Sequence, residues 1–236
     1  MKIKYGMILA AGLGKRMQPI TLKTPKPLIR IGNRTLLDSA IKLLINHGVE
    51  QIAINVHHLA DQIKSFINEG QYKIKIIISD ERDVLLDTGG GILNATKSFK
   101  KPFIVVNPDT LWSNAYSNEL KDLERLYFNQ KKPCLLLVNK NLSFDSSFKG
   151  DFNLHEGIIS RDNSNKLIFT GLQILDQSVF SAVKEKIFSM NKVWDNLIEN
   201  NLLVGNESKL KFYQGGHLFL GEDPSGFLDI TEWLLN

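Results

Sequence analysis

The chain is short of the features that mark several large protein classes. Its 236 residues include one cysteine, Cys134, so an intrachain disulfide and a cysteine-built metal cluster are both excluded. Histidine is sparse at five residues, and the adjacent pair His57–His58 lacks a third ligand at metal-binding spacing. That pair is expected to begin the helix that follows it. No apolar run approaches the ~20 residues of a membrane span. The N-terminal apolar stretch 5–11 is interrupted by Gly6 and leads straight into Gly12, Gly14, Lys15 and Arg16, which makes a poor signal-peptide core. Internal repeats, low-complexity linkers and blocks of one charge sign are also missing. The net charge of +4 comes from lysines spread along the chain. That distribution gives no pointer to nucleic acid and suits a pocket for a polyanionic small molecule. A cytoplasmic protein with no membrane partner is the expectation, and the oligomeric state is not legible.

What is present is ordinary globular material, 43% hydrophobic and 23% charged, and long enough to bury a proper core. Apolar periodicity predicts strands at 4–9, 51–56, 73–78, 103–107 and 133–138. Helices are predicted at 35–47 (with Gly48 as cap), 59–67, 91–99 and 120–128. This βαβα rhythm implies a mostly parallel sheet covered on both faces. After Lys140 the rhythm changes. Strands are expected at 151–159 and 166–175, joined by the polar turn RDNSNK, then a helix at 193–200 and a strand at 210–213. These should add a smaller antiparallel portion to the same sheet, giving one domain over 1–236. Trp194 and Trp233 are expected to pack in the core or against the C-terminus.

Ligands of open α/β sheets bind at the carboxyl ends of strands, which directs attention to MILAAGLGKRMQPITLKTPKPLI, residues 7–29. The dinucleotide fingerprint G-x-G-x-x-G fails because Met17 stands at the third glycine position and three prolines delay any helix to about Thr35. A P-loop fails too, since it needs glycine at Leu9 and a hydroxyl at Arg16. What remains is a long loop with close backbone approach at 10–12 and three cations, Lys15, Arg16 and Lys26. Backbone N–H groups and cations together hold phosphate. Pro25 and Pro27 fix the backbone on both sides of Lys26 and restrict where its amine can go.

The pattern L-A-A-G-x-G-x-R-M followed by P-K-P-L resembles the signature of the sugar-1-phosphate nucleotidyltransferases. LDTGGGI (86–92), NPDT (107–110) and FTGLQIL (169–175) resemble further family elements in the family's order. The likeness covers nearly the whole chain. Within the family, INVHHLADQI, NPDTLW and KGDFNL resemble the N-acetylmuramate α-1-phosphate uridylyltransferase branch. NKLIFTG lacks the Glu-Lys-Pro that the longer thymidylyltransferases carry.

The resemblance implies a three-layer α/β/α Rossmann-like nucleotidyltransferase fold with a mostly parallel mixed sheet. The nucleotide part would be about 1–140 and the sugar part about 141–236. It implies that an NTP and a sugar 1-phosphate give an NDP-sugar and pyrophosphate with Mg²⁺, UTP and N-acetylmuramate 1-phosphate being the pair in that branch, which serves peptidoglycan recycling. Mannose 1-phosphate with GTP and phosphocholine with CTP are rival pairs, and a non-catalytic regulatory module is the rival from another class. Arg16 would face the β- and γ-phosphates, and Lys26 the α-phosphate and sugar phosphate. Leu9, Ala10, Ala11, Gly12, Gly14 and Lys15 would meet the nucleotide. Thr88, Gly89, Gly90 and Glu81 would surround the base. Asn107, Gly150, Asp151 and Thr170 would take the sugar. Asp109 would bind metal, with Pro108 in place of the family's usual glycine. Asp229 in GFLDITEW is the second ligand expected, and Asp223 its rival.

Overall fold

The structure, a computed structural model, describes residues 2–214. Asp223, Asp229 and Trp233 lie outside the described residues. Strand β1 (Tyr5–Leu9) leads into the proline-rich loop, which holds only short 3₁₀ turns and a small hairpin, β2 (Arg30–Ile31) and β3 (Arg34–Thr35). Helix α1 (Leu36–His47) starts where Thr35 Oγ1 accepts from the Asp38 N–H and stops at Gly48, whose φ of 97° closes the last turn. Then come β4 (Gln51–Val56), α2 (Ala60–Glu69), β5 (Lys75–Asp80), α3 (Asp87–Thr96), β6 (Phe103–Val106), α4 (Tyr116–Gln130) and β7 (Cys134–Asn139). The remainder supplies β8 (Asn153–His155), β9 (Ile158–Ser160), β10 (Leu167–Leu175), α5 (Met190–Glu199) and β11 (Val204–Ser208).

Among the described residues, nine strands form one sheet in the order β5-β4-β1-β6-β10-β7-β11-β9-β8. β5, β4, β1 and β6 run parallel, and β10 is inserted antiparallel between β6 and β7. Alternation along β6 divides the core. Ile104 and Val106 pack with α1, α2 and α4, and Phe103 and Val105 with α3 and α5. This is the three-layer, mostly parallel arrangement that the resemblance implied.

The late segment differs from expectation in three places. The strand predicted at 151–159 is a hairpin, because Glu156 and Gly157 both take positive φ, at 48° and 81°, and turn the chain between β8 and β9. Residues 210–213 make a single isolated bridge, Phe212 to Ser143, instead of a strand. The strand of that region is β11, which pairs parallel to β7 on one edge and antiparallel to β9 on the other, so the otherwise antiparallel addition includes one parallel pairing. Trp194 is buried, edge-on to Phe152 and Phe169, and its indole N–H donates to Gln173 Oε1 at 3.1 Å. Among the described residues no helix is long and apolar enough to cross a membrane.

Candidate active site

Two clefts adjoin at the loops that follow β1 and β6. One, of about 240 Å³, is lined by residues that include Leu9, Ala11, Asn55, Asp87, Thr88 and Asn107. The other, of about 230 Å³, is lined by Gly14, Lys15, Arg16, Met17 and Gln214. Gly12, Lys26 and Asp109 belong to both.

The first loop is built to stay thin. Ala10 and Ala11 are buried, Gly12 is exposed, and a Cβ on Gly12 would point into open space. Gly14 has φ of 63°, and a Cβ there would fall 2.7 Å from Thr21 Cγ2, so only glycine fits. Thr21 Oγ1 donates to the Gly14 carbonyl at 2.8 Å, holding the Lys15–Met17 turn against the next one. Lys26 opens a 3₁₀ turn between the buried Pro25 and Pro27. Its Nζ lies 2.6 Å from Asp109 Oδ2.

Asp109 follows β6 in a turn fixed from several sides. The Asn107 N–H donates to the Gly171 carbonyl, Trp112 Nε1 donates to the Asn107 carbonyl, and Thr110 Oγ1 donates to the Thr170 carbonyl. Gln214 Nε2 joins Lys26 on Asp109 Oδ2 at 3.2 Å. Asp109 Oδ1 is buried and meets no hydrogen-bond donor among the described residues, and Asn107 Oδ1 is in the same position. The described residues contain no cluster of three His, Cys, Asp or Glu side chains.

The glycine-rich segment 88–91 departs from expectation. It forms the first turns of α3, and the Gly89 and Gly90 N–H groups both donate to the Phe188 carbonyl. A Cβ on Gly90 would come 2.3 Å from the Lys186 carbonyl oxygen. These two glycines are therefore buried against segment 186–188, and neither lines a cleft; Thr88 and Asp87 do. Glu81 is 3% exposed and lies behind the cleft wall, bonded to Asn55 and to the Leu86 N–H. Burial pushes its carboxyl upward, while the Asn55 amide opposes the shift. Thr170 is 1% exposed, and its hydroxyl donates to the Leu136 carbonyl where β10 shifts register, so it does not face a cleft. Gly150 turns with φ of 87° against Asn165, and Asp151 Oδ2 accepts from the Phe169 N–H; neither lines either cleft. His57 and His58 do not open α2, which starts at Ala60. They donate instead to the carbonyls of Glu81 and Thr21, both at 2.7 Å.

Residues 5–138 match the model of the nucleotidyl transferase family. The chain belongs to that family. It is 28% identical over 211 residues to the N-acetylmuramate α-1-phosphate uridylyltransferase of Caulobacter vibrioides, covering 86% of this chain and 87% of that protein. The enzyme of the same name from Neisseria meningitidis is 32% identical over 183 residues, 75% of this chain and 78% of that one. In fold, this nucleotidyltransferase matches HddC of Yersinia pseudotuberculosis, solved with GMP-PN, at a TM-score of 0.76 and 23% identity, covering 98% of this chain and 99% of that one. It is an enzyme of the sugar-1-phosphate nucleotidyltransferase kind.

Seven residues lining this nucleotidyltransferase's clefts, among those described, were not expected as site residues from sequence: Met17, Pro27, Asn55, Leu85, Asp87, Pro108 and Gln214. Asn55 had a visible signal, an amide inside the otherwise apolar strand QIAINV, where a buried polar group needs partners. Gln214 had none, because its place depends on the bridge between Thr110 and Gln214.

Proposed function

We propose that this enzyme joins UTP to N-acetylmuramate 1-phosphate, releasing pyrophosphate, in the cytoplasm and in the service of peptidoglycan recycling. The observation that carries nucleotidyl transfer is that Lys26 and Asp109 border both clefts. The uridylyltransferase names of the two relatives support the choice of substrates. A sugar-phosphate oxygen attacks the α-phosphorus. The bond from that phosphorus to the bridging oxygen breaks, and pyrophosphate leaves with the electron pair. Such transfers depend on positioning and charge neutralisation, so no nucleophilic side chain is required.

On this reading Leu9, Ala11, Gly12, Asp87 and Thr88 hold the nucleoside. Gly14, Lys15 and Arg16 hold the β- and γ-phosphates and then pyrophosphate. Lys26 stands between the α-phosphate and the acceptor phosphate, where negative charge concentrates in the transition state. Asn107 and Asp151 bracket the 169–171 stretch of β10 through the bonds to Gly171 and Phe169, and the sugar is assigned to that side. The nucleotide is thus handled by the part up to about residue 140 and the acceptor by the remainder of one domain. Asp109 Oδ1, buried and without a partner among the described residues, is a hard oxygen suited to Mg²⁺, which when bound would neutralise triphosphate charge. Asp229 is the proposed second ligand.

The test is pyrophosphate release from each of the four NTPs against a panel of sugar 1-phosphates, with and without Mg²⁺. UTP with N-acetylmuramate 1-phosphate should give the highest kcat/KM. Preference for GTP with a mannose-type phosphate would replace the substrate assignment, and no metal-dependent release from any pair would remove the transfer reading.

A further inference from the structure

The last two residues of β4 and the two that follow read N-V-H-H, and the Asn55, His57 and His58 side chains reach the loops that follow β1 and β5. Asn55 is 1% exposed, yet both ends of its amide are engaged. Its Oδ1 accepts from the Ala10 N–H at 2.9 Å, and its Nδ2 donates to Glu81 Oε1 at 2.9 Å. The other Glu81 oxygen, Oε2, accepts from the Leu86 N–H at 3.2 Å. Ala10 begins the glycine loop, and Leu86 directly precedes Asp87 and Thr88 of the opposite wall. A continuous bonded strut therefore spans the nucleoside cleft from one wall to the other. Gly91 leaves room for it, since a Cβ there would fall 2.7 Å from Asn55 Nδ2 and 3.0 Å from Glu81 Oε1. Two residues on, His57 and His58 tie down Glu81 and the loop leading to Lys26 through the carbonyls already described.

We propose that Asn55 is the positioning residue of the nucleoside cleft, fixing the spacing of its two walls through Glu81. The inference rests on the nucleotidyl-transfer reading above. It assigns Glu81 a supporting role in place of contact with the base. Polarity is the key property: the Asn55 amide faces a carboxylate on one side and a backbone donor on the other, so neither partner is interchangeable alone.

Asn55→Asp keeps the acceptor for Ala10 but sets a carboxylate against Glu81, and two carboxylates so close cannot both ionise without repulsion. At the lower pH a shared proton would bridge them and hold the strut, and its loss as pH rises would open it. The double variant Asn55→Asp/Glu81→Gln restores a donor facing an acceptor, with the glutamine oxygen left for the Leu86 N–H. The other ionisable groups near the pair are His57, which touches the Glu81 carbonyl, and Lys26, Asp87 and Asp109 around the same cleft. All are common to every variant and cancel in a ratio to wild type.

Dissociation constants for Mg-UTP and Mg-GTP, measured by calorimetry without acceptor, provide the readout, with thermal melting to verify folding. For the tighter of the two, the Asn55→Asp to wild-type ratio should rise about tenfold from pH 6 to pH 8.5. In the double variant the ratio should be flat and within about threefold of one. A flat ratio in the single variant, or a double variant no better than the single, overturns the proposal. Should Asn55→Asp fail to fold, Glu81→Gln alone should weaken nucleotide binding about tenfold with the acceptor KM unchanged, and unchanged nucleotide binding overturns the strut. Wild type that binds neither nucleotide would instead defeat the nucleotidyl-transfer reading, which keeps the two failures apart.

Discussion

The Nζ of Lys26 lies 2.6 Å from Asp109 Oδ2, so the two groups proposed for phosphate and metal are paired with each other. The pair is only partly exposed, at 23% and 16% of the side-chain surfaces, and it sits where the two clefts join. Bringing a triphosphate and a cation to that point requires the pair to exchange partners: phosphate oxygen for the lysine, metal for the aspartate.

Lys26→Met and Asp109→Asn should each lower pyrophosphate release by about 10²–10³-fold, the ~3–4 kcal/mol expected for losing one transition-state contact. Their effects on metal should diverge. Titration with Mn²⁺, followed by the loss of free-ion electron paramagnetic resonance signal, should show Asp109→Asn weakened. Lys26→Met should bind at least as well as wild type, because no ammonium competes for the carboxylate. Wild-type turnover in either variant would remove that residue from the mechanism.

Gly12 and Gly90 offer opposite tests of the same substitution. A methyl on Gly12 enters open space on the shared wall of the clefts, so Gly12→Ala should melt within a degree or two of wild type and raise the nucleotide KM. A methyl on Gly90 would meet the Lys186 carbonyl at 2.3 Å, a backbone atom that cannot swing aside. Gly90→Ala should cost about 1–3 kcal/mol in denaturant unfolding, as overpacking does. Equal melting temperatures for the two variants would contradict the packing of α3 on segment 186–188.

Much of this fold is legible in the sequence. Strand 51–56 is found where its apolar run places it, and the helix expected at 35–47 is found at Leu36–His47, ending at Gly48 as expected, with Thr35 as its cap and not its first residue. The start of α3 is not legible. Three consecutive glycines disfavour a helix, and the turn there is fixed by the Phe188 carbonyl, about a hundred residues away. β11 reads VGNES, with no alternation, and becomes a strand because β7 pairs with it along one edge and β9 meets it on the other. In the site, the cation loop and Asp109 carry local patterns. The Asn55–Glu81 link joins residues 26 apart and has no pattern beyond one amide in an apolar strand.

Thr170 separates structural support from sugar contact. Its hydroxyl donates to the Leu136 carbonyl at 2.9 Å, and its own carbonyl accepts from Thr110. Thr170→Val keeps the shape and removes the donor, so unfolding in urea should show a loss of about 1–2 kcal/mol. The sugar-phosphate KM should stay within about twofold. A large rise in that KM with unchanged stability would return the hydroxyl to the sugar site.

Glu81 supplies a test in which pH is the variable. Burial raises its folded-state pKa above the unfolded value, so between those two values the folded protein binds more protons than the unfolded chain. Stability from this group is fully present at pH values below the unfolded pKa and is lost as pH rises through the folded one. Glu81→Gln does not titrate. Its loss of the Leu86 contact is the same at every pH, and only the carboxyl's own contribution varies. The melting temperature of Glu81→Gln relative to wild type should therefore climb as pH is raised from about 4 toward 7. Each unit of pKa elevation corresponds to about 1.4 kcal/mol in that difference. A difference that is flat or falls over that range would show that the carboxyl is not held in the buried, desolvated position behind the cleft lined by Leu9 and Thr88.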